Sequence, residues 1–265
     1  MTTKREEIKI VKSTPAKSFF VSMLTRDIDL HDPILDLLDN CIDGAIRTRS
    51  QKMANEDSLK GFWAHIKFDD RRFVIEDNCG GIPWSLARDY AFHMGRPEGY
   101  HAEPGMIGGV GIGMKRAIFK MGRECHVHSS HKDDSFLVTV PPSWFENDDL
   151  WHFKAEREKP TSKEYGTILE IEHLTEGAKK DFRPGSSFRE SFPAIVTEAY
   201  SYLLEKGFKV KIGDDNIKRK PVKLRFEDSE NHKKKGGKIR PYIYEGKFDG
   251  IEVFLPVAVF GCVRK

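Results

Sequence analysis

Seven glycines lie between residues 95 and 113, at positions 95, 99, 105, 108, 109, 111 and 113, and the run leads into an apolar-periodic segment from Met114 to Met121. Closely spaced glycines let backbone N–H groups approach an anion, and the positive end of a following helix adds attraction, so this is a phosphate-binding pattern. It is not a Walker A loop, because Met114 separates Gly113 from Lys115 and Arg116 follows where Ser or Thr would meet magnesium. Nor is it a dinucleotide fingerprint, since Gly109-x-Gly111-x-x-Met114 lacks the last glycine. Lys115 and Arg116 each offer charge that can neutralise phosphate, with a helix-surface role equally open for Arg116.

Three further pieces carry polar groups in patterned positions. Asp36, Asn40 and Asp43 step by four and then three residues, which stacks them on one helical face. Asn40 is a poor helix former at mid-helix, so its place needs another reason. Asp77 opens a tight turn, Asp77-Asn78-Cys79-Gly80-Gly81-Ile82-Pro83, and Gly166-Thr167 opens a strand that alternates cleanly to Glu172.

The elements that hold these residues follow from period and punctuation. A helix is expected from about residue 32 to 46, capped by Asp32 with Pro33 in its first turn and with Ile34, Leu37, Leu38, Cys41 and Ala45 facing a core. Aromatic and β-branched runs at 62–68 and 72–76 read as a hairpin. Helices are expected from Trp84 to Met94, from Met114 to Met121 and from Phe188 to Gly207, and strands at 124–129, 135–140, 166–172, 208–212 and 251–260. Helices on one side of a mixed, mostly antiparallel sheet make an α+β two-layer sandwich. His126 and His128 share one strand face, so the run of Cys125, His126, His128 and His131 reads as a polar sheet face rather than a metal site.

Composition removes several classes. The chain has 265 residues, 38% of them apolar, with 44 Lys and Arg against 41 Asp and Glu, which is one globular domain or one and a half. No apolar run approaches the roughly 18 residues of a membrane helix, and MTTKREEIKI lacks a signal-peptide core, so a cytoplasmic protein is expected with no membrane partner. Cys41, Cys79, Cys125 and Cys262 form no CxxC pair and read as reduced thiols. Charge is uneven: residues 201–265 carry 16 Lys and Arg against 9 Asp and Glu, a net of +7, which leaves −4 for residues 1–200. The dense stretch from His232 to Arg240 reads as a solvated hairpin loop or as a nucleic-acid contact.

Taken together over roughly residues 30–172, the four pieces resemble the GHKL ATPases, the family of DNA gyrase B, the heat-shock chaperone, sensor histidine kinases and MutL, with the MORC ATPases as relatives. The family's Glu-x-x-x-Asn-x-x-Asp-Ala box corresponds to Asp36 through Ala45, its Asp-x-Gly-x-Gly box to Asp77 through Gly81, and its Gly-x-x-Gly-x-Gly box to Gly108-Gly109-Val110-Gly111-Ile112-Gly113, followed by Met114 and Lys115. The resemblance implies a Bergerat-type fold that binds ATP and Mg²⁺. It assigns the metal to Asn40, with Asp43 beside it, and an adenine contact to Asp77, supported by Gly81, Ile82 and Thr167. It gives the glycine-box amides the β- and γ-phosphates, and makes residues 95–108 a mobile lid.

Asp36 stands where family ATPases carry Glu and is one methylene shorter. The helix sits closer to the phosphates, or Asp36 works through a second water, or hydrolysis is slow. The neighbouring Asp39 is expected to face outward. The resemblance further implies an N-terminal arm (1–30) around Phe19-Phe20 that takes part in a nucleotide-dependent homodimer and an ATP-binding domain over 31–207. Residues 208–265 would be a partial, basic, transducer-like segment open to a DNA or protein client, with the chain stopping before that domain is complete. A nucleotide-binding module with little hydrolysis is the alternative. A protein kinase has less support, because no phospho-acceptor His region precedes the site.

Overall fold

The computed structural model describes residues 13–49, 58–95, 111–159, 165–220, 242–248 and 251–257. Two units, Met1–Arg219 and Lys220–Lys265, divide the chain. The strands of the first are β1 (Trp63–Phe68), β2 (Phe73–Asp77), β3 (Glu124–Ser130), β4 (Ser135–Val140), β5 (Lys154–Glu158), β6 (Gly166–Glu172), β7 (Lys209–Ile212) and β8 (Asp215–Asn216). They form one sheet in the order β5-β4-β3-β6-β2-β1-β7-β8, with β1 and β7 parallel and every other neighbour antiparallel.

Its helices are α1 (Lys17–Thr25), α2 (His31–Thr48), α3 (Trp84–Leu86), α4 (Gly113–Met121), α5 (Pro142–Glu146), α6 (Glu176–Phe182) and α7 (Ser187–Glu205). The apolar stripe of α2 is buried with Ala117, Ile118, Phe119 and Met121 of α4, Phe192 and Val196 of α7, and the inward strand residues Ile66, Phe73, Ile75, Val127, Leu169 and Ile171. Along β3 and β6 the alternate side chains, including Glu124, His126, Glu170 and Glu172, lie on the opposite and more open face. The α+β two-layer sandwich is therefore the architecture, and α2 and α4 are the helices that carry the patterned polar residues.

Local departures from expectation have physical reasons. Helix α2 begins one residue early, after Leu30, and Asp32 does not cap it: its Oδ2 accepts the Asp29 amide at 3.2 Å from within the first turn. The expected helix from Trp84 to Met94 is a single α-turn that widens into a π-helical turn over Ala87–Ala91 and stops at Phe92. Helix α7 begins where Ser186 Oγ accepts the Arg189 amide at 3.1 Å and ends ahead of Gly207. The strand beginning at residue 209, which the sequence placed beyond the ATP-binding domain, pairs with β1 inside the main sheet.

The arm is α1, and a buried lysine holds it. Lys17 has no exposed surface; its Nζ donates to the carbonyls of Trp144 at 2.8 Å, Asn147 at 2.6 Å and Leu150, and sits 3.8 Å from the centroid of the Trp144 ring. Its own amide donates to Asp148 Oδ1 at 2.7 Å. Burial pushes the ammonium pKa down and the Asp148 charge draws it back up. Lys17→Ala strands these acceptors, so it is expected to lower stability by about 2–3 kcal/mol. Limited proteolysis should cut within residues 17–25 faster in the variant than in the wild type.

In the second unit, β9 (Tyr242–Phe248) and β10 (Ile251–Val257) pair antiparallel from Phe248↔Ile251 to Tyr242↔Val257. The expected basic loop from His232 to Arg240 and, beyond Gly95, the expected lid at 95–108 lie outside the described residues. Among the described residues no helix is long and apolar enough to cross a membrane, and Cys41, Cys79 and Cys125 are buried free thiols.

Candidate functional site

Two helices meet at Asp36. A Cβ placed on Gly113, the first residue of α4, would lie 2.9 Å from Asp36 Cβ and 3.2 Å from its Oδ2, so only glycine allows α2 and α4 to approach this closely. Arg116, one turn into α4, donates to the same Oδ2 from Nη2 at 2.5 Å and from Nε at 3.2 Å. Asp36 and Arg116 are each about a quarter exposed, so the pair stands at the rim of the site rather than in the core. The surface reading of Arg116 therefore gives way to a defined ionic partner.

One turn further along α2, Asn40 is exposed on the face that carries Asp36. Asp43 follows and is 6% exposed. Asp39 does not face outward: its Oδ1 accepts the Tyr200 hydroxyl of α7 at 2.8 Å, and burial raises its pKa above the usual carboxylate range. The same hydroxyl lies 2.9 Å from the Leu35 carbonyl, so α7 fixes the rotation of α2 about its axis.

At the other end of α2, Asp77 closes β2. Its Oδ1 accepts the Cys79 amide at 2.7 Å, and the carboxylate lies beside the thiols of Cys41 and Cys79 and accepts the Thr167 amide. Burial pushes its pKa up to about 6 against these favourable contacts. Cys79 takes the first glycine position of the box, and the turn is made instead by Gly80 and Gly81, with φ of 91° and 69°. The Gly81 carbonyl accepts Arg47 Nη2 at 3.0 Å and the Cys79 carbonyl accepts Thr48 Oγ1 at 3.0 Å, which ties the turn to the end of α2. A Cβ on Gly166 would lie 1.9 Å from the Asp77 carbonyl, so the glycine lets β6 bring Thr167 against this turn. Thr167 Oγ1 is 3.1 Å from Ser129 Oγ, which accepts the Ile82 amide at 2.7 Å.

The glycine box is partly in view. Gly108, Gly109 and Val110 lie outside the described residues. Gly111 has φ of 73°, Ile112 precedes α4, and no side chain caps the first turn of that helix, whose N–H groups are the natural partners of an anion. Met114 packs in the core. Lys115 is 2% exposed, and its Nζ donates to the Ala91 carbonyl at 2.8 Å and to the Gly111 carbonyl. It therefore braces the π-helical turn against the end of the glycine box, where a phosphate contact was expected, and burial lowers its pKa to about 8.

Ser129, Arg47 and Thr48 were not singled out as site residues by the sequence, and Arg116 was read as a phosphate or surface charge without its partner Asp36. Ser129 had a signal: it occupies the inward register of β3 after Cys125 and Val127, where a polar residue needs a partner. The raised pKa of Asp77 also sets a pH dependence. Between about pH 4 and 6 the folded chain holds a proton that the unfolded chain has released, so this carboxyl makes stability fall as pH rises through that window. Denaturant titrations at pH 4.5 and 7 are expected to show the wild type losing of order 2 kcal/mol across the window relative to Asp77→Asn, which carries no titrating group there.

Residues 28–175, more than half of the chain, match the family described as histidine kinase-, DNA gyrase B- and HSP90-like ATPases. Among solved structures the chain is similar to the ATPase region of Saccharomyces cerevisiae topoisomerase II bound to ICRF-187 (dexrazoxane), with a TM-score of 0.52 and 12% identity over 71% of this chain. The match spans 49% of that chain, about half its length. None of the curated proteins matches the sequence. With the family matched over more than half of its length and the fold shared with a solved ATPase region, this chain belongs to the histidine kinase-, DNA gyrase B- and HSP90-like ATPases and carries their ATP-binding domain.

Proposed function

We propose that this chain binds ATP with Mg²⁺ and hydrolyses it slowly, using Asp36 to orient or deprotonate the attacking water. The observation that carries the reading is the close approach of Asp36 to Gly113 at the start of α4. That approach favours the first of the three explanations for an aspartate at this position, a helix set nearer the phosphates. Both Arg116 contacts go to Oδ2, and they hold the carboxylate in one orientation. From Asp36 to Gly44, which packs against Cys79, α2 rises about 12 Å. Its length thus joins a phosphate end to the Asp77 end, as an extended nucleoside triphosphate requires.

The donors present fit magnesium. Asn40 offers an exposed carboxamide oxygen on the face of Asp36, and Mg²⁺ takes one or two protein oxygens together with phosphates and waters. Asn40 would hold the ion, which when bound neutralises phosphate charge. Asp77 would accept the adenine amino group, and Thr167, Ser129 and Ile82 would keep that end of the pocket in shape. The N–H groups at the start of α4 would receive the phosphates.

The arm bears on assembly. Phe19 and Met23, four residues apart on α1, are 63% and 56% exposed, an apolar edge that supports a nucleotide-dependent homodimer. The support for a DNA or protein client is the +7 charge of residues 201–265.

Phosphate release by wild type and Asp36→Asn tests the hydrolytic reading. The variant is expected to lose about 10²-fold or more in kcat while nucleotide affinity changes little. Equal rates would make the chain a nucleotide-binding module without a working base at this position.

A further inference from the structure

On the open face of the sheet, away from the residues assigned to ATP, β3 and the end of β6 bring together Glu124, His126, Glu172 and His173. Glu124 and Glu172 are directly opposed in the antiparallel register. Like charges in opposed positions destabilise a strand pair unless something positive lies between them. Among the described residues neither carboxylate has a Lys or Arg partner; the groups facing them are imidazoles. His126 Nε2 lies 3.3 Å from Glu124 Oε1, and His173 Nε2 lies 3.3 Å from Glu124 Oε2, so one ring from β3 and one from just past β6 converge on the two oxygens of one carboxylate.

The geometry points to a site for a divalent transition metal of the zinc class, formed by Glu124, His126 and Glu172, with His173 beside Glu124 as the fourth ligand once its ring turns inward. The ligand atoms of Glu124, His126 and Glu172 lie within 4.8 Å of one another. In a tetrahedral zinc site with bonds of 2.0–2.1 Å, neighbouring ligand atoms are separated by about 3.3 Å, the separation between His126 Nε2 and Glu124 Oε1, while His173 Nε2 stands at the same distance from the other oxygen, Oε2. Completing the shell takes rotation of both the Glu172 and the His173 side chains. Two imidazoles with two carboxylates select a borderline metal over magnesium or calcium, which prefer an all-oxygen shell.

The backbone accounts for the place of His173. His173 has φ of 49°, the one non-glycine positive φ among the described residues. Such a conformation is uncommon outside glycine, and His is among the residues that adopt it at turns. Here it turns the chain just past β6 and brings the imidazole to Glu124. A bound ion would neutralise the opposed carboxylates and pin the end of β6 to the start of β3.

The test uses the full chain, stripped with chelator and free of nucleotide, so that metal carried on ATP plays no part. Zn²⁺ is titrated calorimetrically, and Co²⁺ is followed by its visible absorption, which reports tetrahedral coordination. The expected result is one equivalent bound with nitrogen and oxygen ligation, and a melting temperature raised by about 5 °C at saturating Zn²⁺. His126→Ala/His173→Ala should abolish both signals while ATP binding persists. Glu172→Gln should weaken the metal about 10-fold or more. No saturable binding by wild type, or binding unchanged in the double histidine variant, would overturn the assignment. A Cys262→Ser control, expected to bind as wild type does, separates it from thiol capture; loss of binding in that control would also overturn it.

Discussion

Asp77→Asn is expected to weaken ATP binding by about 10²-fold or more while leaving the fold intact. The substitution preserves shape and keeps an oxygen for the Cys79 amide, which Asp77 Oδ1 accepts at 2.7 Å. It replaces the second carboxylate oxygen by an NH₂ group. An adenine amino group arriving there would meet a donor with a donor, and a site built to pair a substrate group discriminates strongly once that pairing is lost. Guanine presents a carbonyl oxygen at the same ring position, so the ratio of ATP to GTP affinity should fall further than the affinity for ATP alone. Competition between the two nucleotides for a fluorescent analogue, measured at pH 7.5 where Asp77 is ionised, reads both effects.

Asn40→Ala is expected to remove the magnesium dependence of nucleotide binding. Asn40 is exposed on α2, one turn from Asp36, and forms no part of the core stripe, so truncation there costs the fold little. Alanine is also the better helix former, by roughly half a kcal/mol. Folded stability is therefore expected to hold or rise while the affinity for ATP in Mg²⁺ drops to the wild-type value in chelator. Phosphate release should fall by about 10²-fold with it. A destabilised variant with intact metal dependence would place the ion elsewhere.

The parts of this site that could be read from sequence are those encoded within one element. Asp36, Asn40 and Asp43 were legible because a 3.6-residue period puts them together without knowledge of the fold. The Gly80-Gly81 turn and the bend at Gly111 ahead of α4 were legible because turns punctuate sequences locally. Arg116 was not, since its partner Asp36 is 80 residues away and only the packing of α4 on α2 brings them together. Lys115 is buried, which went unread for a different reason. It lies three and four residues before the buried Ile118 and Phe119, on the inward side of α4, and a basic residue after a glycine box drew attention to phosphate ahead of that periodicity.

The missed elements follow the same logic. Strand β5 has all five residues exposed and sits at the sheet edge, so Lys154-Ala155-Glu156-Arg157-Glu158 shows no alternation to read. Helix α6 spans only Glu176–Phe182, too short for a periodic signal, although Thr175 caps it by accepting the Ala178 amide. Helix α5 is shorter still and owes its place to Trp144, fully buried beside Phe119. At β3 the alternation correctly gave the polar outer face, but the pairing of Glu124 with Glu172 across to β6 is a matter of register, which no single strand discloses.

The most direct test of the central claim is a calorimetric titration of the intact chain with a non-hydrolysable ATP analogue and its GTP counterpart, each with and without Mg²⁺. The account expects one site per chain, binding that needs Mg²⁺, and a preference for the adenine nucleotide of about 10²-fold or more that disappears in Asp77→Asn. Equal affinity for the two nucleotides, or binding that ignores both Mg²⁺ and the Asp77 substitution, would contradict it.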